Sequence, residues 1–348
     1  MSGIKQVLYA PNVHQGGGKT LLLPLLDELK NSEDMLFILD ERLHLPDKLV
    51  LSGKLLRVKA TLAARIMLEW RLRYVVSGEA KWLCFGNLPP LWAHDGDQVV
   101  FVQNRYLIED IPLNHFSVAI QFRIKIERWW LRSRQRYAKR FVVQTPTMQH
   151  LMKNALGRES EILPFALLPS LPTVSTKSEN EEHYDFLYVA SGEPHKNHRN
   201  LILAWVELAN RNQFPSLCLT LDKQFFPRLF SWISSMVEKH HLRVTMTDKI
   251  SYSDVQRLYR FSRALIFPSS FESFGLPLLE AVSAGLPILA ADADYIRDVV
   301  HPTAVFDHNS PQSIARGVLD FSYKPASRAT NLLDAKKFLS AVFNEVIM

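Results

Sequence analysis

The chain has 348 residues, 47% of them hydrophobic, and a formal net charge of +6. It is long for one domain and ample for two, each with its own core. No apolar run approaches the ~20 residues of a bilayer span, which speaks against a membrane-spanning chain. Cys84 and Cys218 fall in expected strands of different halves, so buried thiols are expected rather than a disulfide or metal framework. The opening MSGIKQVLYA has no hydrophobic core of signal-peptide length before its first strand, and the chain reads as cytoplasmic.

The charge is unevenly placed. Eight Lys or Arg residues stand between Arg123 and Arg140 against one acid, Glu127, and Lys54, Arg57, Lys59, Arg65, Arg71 and Arg73 form a second basic group. Acids gather around Glu179, Glu181 and Glu182.

In chain order, residues 5–10 (KQVLYA) read as a strand, followed by a glycine loop through Gly16-Gly17-Gly18 and a helix from Thr20 to Leu29. Strand, glycine loop and helix make a ligand-facing turn, and three glycines let backbone approach a ligand; a flexible turn without contacts is the other reading. The tail GGGKT invites a P-loop, but that motif needs glycine at position 13, where Val13 stands. Strands are expected at Met35–Leu39, Trp82–Phe85, Val99–Val102, Phe141–Gln144 and Ile162–Leu163, with helices near 61–77, 122–137 and 147–155. This alternation predicts a doubly wound α/β domain. Gln103-Asn104-Arg105 and Gln144-Thr145 lie at strand ends, where such sheets bind ligands.

Residues 165–184 (FALLPSLPTVSTKSENEEHY) read as a linker. A strand at Phe186–Val189 opens the second half and runs into the loop that carries Lys196. Helices at 198–211 and 225–239, strands at Leu217–Leu221 and Val244–Thr247, and a helix from Ser253 to Phe261 follow, the last with Ser253-Asp254 as its expected cap. Ala264–Phe267 is an apolar strand, Phe271–Gly275 a loop, and the next helix buries Leu278, Leu279 and Val282 before Gly285-Leu286-Pro287 ends it. Ile288–Ala290 is a strand, helices begin at Tyr295 and Ser310-Pro311, and residues 332–346 form an amphipathic segment. The N–H groups of Phe274, Gly275 and Leu276 would point outward at a helix start, ready for phosphate. Glu272 and Glu280 would be repelled by phosphates and are better suited to sugar hydroxyls; solvated charges are the alternative.

The segment Glu272 to Glu280, ESFGLPLLE, resembles the E-x7-E signature of retaining glycosyltransferases of family 4, and AVSAGLPILAAD, which follows to Asp292, is similar to the family's continuation. GEPHKN, residues 192–197, resembles the loop whose lysine binds the donor diphosphate. The resemblance implies a GT-B fold: two Rossmann-like, doubly wound parallel-sheet domains facing across a cleft. Residues 1–168 would be the acceptor-side domain, 169–184 the linker and 185–331 the nucleotide-sugar domain, with 332–348 packing back on the first. It implies that Lys196 neutralises the leaving diphosphate, Glu280 binds ribose hydroxyls, and Glu272 binds the donor sugar. It places Gly16, Gly17 and Gly18 near donor and acceptor, with His14 beside them as a catalytic candidate, and Gln103, Asn104 and Arg105 on the acceptor side. Many members carry a histidine where Gln103 stands, and an arginine shortly before the lysine, where this chain has only His195.

Retention in this family is thought to proceed by front-face attack, so no covalent nucleophile is nominated. Metal-holding D-x-D triplets belong to the GT-A fold. Asp95-Gly96-Asp97 and Asp292-Ala293-Asp294 do not fit its order, so neither metal nor other cofactor is expected. A GT-B phosphorylase would need a pyridoxal-binding lysine segment that is absent. A non-catalytic GT-B scaffold is the other alternative, against which Glu272, Glu280 and Lys196 stand together; a P-loop-type nucleotide hydrolase is the third.

The basic segment Arg123 to Arg140, with Trp129 and Trp130 inside it, has three readings. It is a solvated helix face, a nucleic-acid site without any accompanying motif, or a surface that docks on anionic lipid with tryptophan at headgroup level. The last suits a family that builds surface polysaccharides on lipid-linked acceptors. The expectation is thus a retaining transferase of O-antigen, lipopolysaccharide or capsule assembly, cytoplasmic and peripheral to the inner membrane, with a nucleotide-sugar donor and no nucleic-acid partner.

Overall fold

The structure is a computed structural model that describes residues 3–76, 78–92, 96–114, 116–166, 183–248 and 250–343. The chain forms two compact units, Met1–Leu167 with Asn331–Met348, and Leu168–Thr330. The linker expected at 169–184 lies, up to residue 182, outside the described residues.

The first unit runs β1 (Gln6–Ala10), α1 (Gly16–Glu28), β2 (Met35–Asp40), β3 (Lys54–Val58), α2 (Leu62–Val75), β4 (Lys81–Cys84), β5 (Gln98–Phe101), α3 (Val118–Arg134), β6 (Arg140–Val143), α4 (Pro146–Leu156) and β7 (Glu161–Ile162). The second runs β8 (Tyr184–Tyr188), α5 (His198–Ala209), β9 (Leu217–Thr220), α6 (Pro227–His240), β10 (Val244–Thr247), α7 (Tyr252–Arg260), β11 (Ser262–Phe267), α8 (Leu276–Ser283), β12 (Ile288–Ala291), α9 (Asp294–Val299), β13 (Val300–His301), β14 (Ala304–Phe306), α10 (Pro311–Leu319) and β15 (Ser327–Arg328). The closing helix α11 (Ala335–Phe343) belongs to the first unit.

Both main sheets are parallel, in the orders β3-β2-β1-β4-β5-β6-β7 and β10-β9-β8-β11-β12-β14. Their strands read as nearly unbroken apolar runs because helices cover both faces: every residue of β2 is buried. Strand periodicity divides the first core. Val7, Tyr9, Leu36, Ile38 and Trp82 meet Leu72 of α2 and Ile124, Trp130 and Leu131 of α3. On α11, Phe338 stacks on Phe165 and packs on Phe101. In each sheet the strand order reverses at one point, β1/β4 and β8/β11. Loops leaving adjacent strand ends diverge there and leave room for a ligand.

Several sequence expectations are corrected. The glycines Gly16–Gly18 are not a loop but the first turn of α1, entered through Gly16 at φ +62°. The cap of α7 is Ser251 rather than Ser253, and it completes a capping box with Asp254. Strands β3 and β14 were not foreseen: β3 is an edge strand with lysine and arginine inside it, and β14 is three residues long. Trp130 does not sit at a surface. It is 4% exposed and donates to the Pro89 carbonyl. Its ring carries the Arg65 guanidinium at 4.2 Å, within a buried network in which Tyr9 donates to Glu69 and Arg65 donates to both.

His198 opens α5 and is 3% exposed, its ring beside that of Tyr188. Neither ring nitrogen has a hydrogen-bond partner among the described residues. Burial, helped by the positive charges of Lys196 and His195, lowers its pKa to about 3. The unfolded chain therefore binds the extra proton more readily. Stability is fully present above pH ~6.5 and falls towards pH 3 with a limiting slope of about 1.4 kcal/mol per pH unit. In urea titrations between pH 4 and 7, His198→Phe is expected to lose stability less steeply on the acid side than the parent chain; equal slopes would refute a neutral, buried His198.

Candidate active site

At the β8/β11 reversal two loops are stitched together. The loop after β8 closes in a short 3-10 turn, Pro194–Lys196, and Asn197 then takes a left-handed conformation (φ 61°) to start α5. Tyr188 Oη donates to the Lys196 carbonyl at 2.6 Å. The Asn197 amide donates to the carbonyls of Pro268 (3.2 Å) and His308 (2.7 Å). From the loop after β11, the Ser270 N–H and hydroxyl both donate to the His195 carbonyl, and Ser269 Oγ lies 3.2 Å from it.

This scaffold brings together two of the residues expected from the sequence. Lys196 Nζ lies 2.5 Å from Glu272 Oε1, with side chains 18% and 13% exposed. Ser269 Oγ donates to the same oxygen at 2.8 Å. A pair this shielded is screened little by solvent, and removing one partner leaves a costly unpaired charge.

Beyond Glu272, Phe274 is buried and Gly275 adopts φ +77° as the residue before α8. A Cβ at Gly275 would lie 2.9 Å from the Leu278 side chain, so only glycine fits this turn without strain. The N–H groups of Phe274, Gly275 and Leu276 precede the first intrahelical bonds of α8. Glu280 follows on that helix and accepts from Tyr259 Oη (2.8 Å) and Tyr252 Oη (3.3 Å) of α7. Burial raises the Glu280 carboxyl above its ordinary pKa, against the two hydroxyls that hold it down. Tyr252, Tyr259 and Ser269 had been missed. Tyr252 and Tyr259 are seven positions apart on one helix face, a spacing visible in the sequence but equally expected of core residues.

In the first unit, His14 Nδ1 stands 3.9 Å from Asp40 Oδ2. Burial and the nearby Arg42 charge lower the His14 pKa against the pull of Asp40. Asp40 is itself pushed up by burial, but its bonds to Arg42 outweigh this and leave it below the usual carboxylate range. Gly18 packs on Val13, where a Cβ would come within 3.2 Å of its side chain. Gln103 and Asn104 are tied down through their backbone N–H groups to Asn87 Oδ1 (2.6 and 2.9 Å), and Arg105 is buried and donates to Glu109. All three thus hold the loop after β5 in place. Asp97 pairs with Lys139 and Asp292 with Arg297, while Asp95 lies outside the described residues. Among the described residues no group of three or more His, Cys, Asp or Glu is placed to hold a metal ion.

The Tyr259 bond to Glu280 has a measurable consequence. Tyr259→Phe removes a donor from a half-buried carboxylate, and the expected loss is about 1–2 kcal/mol of stability in denaturant unfolding; a loss below about 0.5 kcal/mol would mean that the bond carries no weight.

Residues 174–332 match the family described as "Glycosyl transferases group 1". The chain is 27% identical over 201 residues to the O-antigen chain mannosyltransferase B of Escherichia coli, covering 54% of this chain and 50% of that protein. It thus spans about half the length of that relative. Among solved structures it resembles Anabaena HepE in complex with UDP (TM-score 0.65, 13% identity, 90% of this chain and 89% of that one). It also resembles WaaG, described as a glycosyltransferase involved in lipopolysaccharide biosynthesis (TM-score 0.62, 16% identity, 98% and 94%). The two doubly wound parallel-sheet units are those of the GT-B fold, and the match of the second unit to group 1 supports a glycosyltransferase.

Proposed function

We propose that the chain transfers a sugar from a nucleotide-sugar donor, with retention, to a growing lipid-linked glycan of O-antigen, lipopolysaccharide or capsule type. The observation that carries this reading is the Lys196–Glu272 pair at the β8/β11 reversal, with Glu280 eight positions on along α8. Lys196 and the amides of Phe274, Gly275 and Leu276 neutralise the departing diphosphate. Glu272 holds donor-sugar hydroxyls and Glu280 the ribose, sharing it with Tyr252. The bond from the anomeric carbon to the phosphate oxygen breaks, the acceptor oxygen bonds to the same face, and its proton passes to the leaving phosphate. Every charge in this scheme is met by the chain's own groups and by substrate, and transfer is expected to persist in chelator.

On the first unit, His14 stays neutral at neutral pH, a suitable hydrogen-bonding partner for an acceptor hydroxyl. Gly16, Gly17 and Gly18 offer the unbonded N–H groups of a helix start. Gln103, Asn104 and Arg105 form a rigid strand end on which acceptor contacts could be built. The names of the relatives favour mannose as the sugar. With a panel of GDP-, UDP- and dTDP-linked hexoses, one donor is expected to support nucleotide release and a product of unchanged anomeric configuration by NMR. Glu272→Ala should lower turnover by about two to four orders of magnitude. Inversion would contradict retention, and no donor binding or turnover with any sugar would favour the scaffold alternative.

The membrane part of the proposal is supported by α3. Val118, Phe122, Lys125, Trp129 and Arg132 recur at helical spacing and are all exposed, Trp129 at 63%. On α2, Met67, Trp70, Arg71 and Tyr74 are exposed as well. Of the basic segment, Arg128 and Arg140 are spent on internal bonds to the Tyr106, Glu109 and Val342 carbonyls. Among the described residues no helix is long and apolar enough to cross a membrane. Vesicles containing anionic lipid are expected to bind the protein better than neutral ones, by about 1 kcal/mol for each basic residue at the surface. Lys125→Glu with Arg132→Glu should erase the difference. Equal binding to both kinds of vesicle by the parent chain would sink this part of the reading.

A further inference from the structure

The second unit contains a cavity of about 710 Å³ between the first turns of α5 and α6. Its lining does not include Lys196, Glu272, Glu280, Tyr252 or Tyr259. Right-handed crossovers place α5 and α6 on one face of the sheet and α7 and α8 on the other. The cavity lies on the α5/α6 side of the loop after β8, the loop that carries Lys196, whereas Glu272, Glu280, Tyr252 and Tyr259 belong to the segments that follow β10 and β11.

We propose that this cavity is a second ligand site, for a carbohydrate carrying one anionic group. Its volume falls in the range of small-molecule sites. One wall is apolar and held in place: the Phe226 ring packs so closely on Gly192 that a Cβ there would meet it at 2.5 Å. Phe225 beside it is 67% exposed, a flat ring available to the C–H face of a sugar.

The polar groups are placed for the rest of the ligand. His198 borders the cavity, is buried, and has no hydrogen-bond partner on either ring nitrogen among the described residues. As a neutral imidazole it carries one donor and one acceptor beside the cavity wall, and left unmet they carry a desolvation cost. Arg199 and Arg228 are the second residues of α5 and α6, and both helix starts open on the cavity. The Arg199 guanidinium lies over the Trp232 ring of α6 at 4.7 Å, a contact across the two helices made by its flat face rather than by its N–H edge. Glu193 also lines the cavity, with its carboxylate accepting from the Ser191 hydroxyl. Two guanidiniums against one carboxylate suit a single negative group, which a phosphate ester or a uronate could supply.

Calorimetric titration of the full chain separates the possibilities, with glucose 6-phosphate, glucuronate, glucose and inorganic phosphate as probes. One or both anionic sugars should bind, at least about tenfold more tightly than glucose or phosphate alone. Comparing the two anionic sugars tells phosphate ester from carboxylate. Arg228→Ala and Phe225→Ala should each weaken that binding at least about tenfold, with unchanged circular dichroism, while Lys196→Met, which removes the donor-site ammonium, leaves it unaltered. The proposal is overturned if neither anionic sugar binds, if binding survives both cavity substitutions, or if Lys196→Met abolishes it. Because the readout is binding, a failure here leaves the transferase reading intact, and the reverse also holds.

Discussion

The ion pair between Lys196 and Glu272 is the contact around which the second unit's ligand-facing edge is arranged. It links the loop after β8 to the loop after β11 at the point where the strand order reverses. Both side chains are largely withdrawn from water, and such a pair holds only if its surroundings hold it. Tyr188 fixes the Lys196 carbonyl, Ser269 donates to Glu272, and two donors of Ser270 converge on the His195 carbonyl. These loops are thus fixed without any ligand, and on the proposed function that is the preorganisation electrostatic catalysis requires. On the proposed function, a diphosphate would take over the ammonium and release Glu272 to sugar hydroxyls.

Much of this architecture was legible in the residues. Buried parallel strands are continuous apolar runs, and so Met35–Leu39 and Ala264–Phe267, the apolar stretches of β2 and β11, could be found from hydrophobicity alone. The GT-B expectation followed from a dense local motif, because a glycine at φ +77° followed by a proline in the first turn of a short helix leaves little freedom in sequence. Lys196 and Glu272, 76 positions apart, were linked only by resemblance, since nothing local joins two loops that meet through tertiary folding.

The remainder was hidden for physical reasons. Strand β3 carries lysine and arginine because an edge strand has a solvent side. Trp129 and Trp130 are neighbours in sequence but point about 100° apart on a helix, which puts one in water and the other in the core. The three glycines read as a loop because glycine is a poor helix former, yet at Gly18 a Cβ would crowd the Val13 side chain at 3.2 Å. Cavity residues such as Phe225 and Arg228 have no signature, because the pocket is made by two helix starts that are distant in sequence and meet only in the fold.

The most direct test of the central pair is calorimetric titration of the matching nucleoside diphosphate into the parent chain, Lys196→Met and Glu272→Gln. If Lys196 serves the phosphate and Glu272 the sugar, Lys196→Met should weaken binding at least about tenfold, whereas Glu272→Gln, which frees the ammonium, should bind as tightly as the parent or more so. Equal affinity in Lys196→Met and the parent, or a loss as deep in Glu272→Gln as in Lys196→Met, would contradict this division of roles.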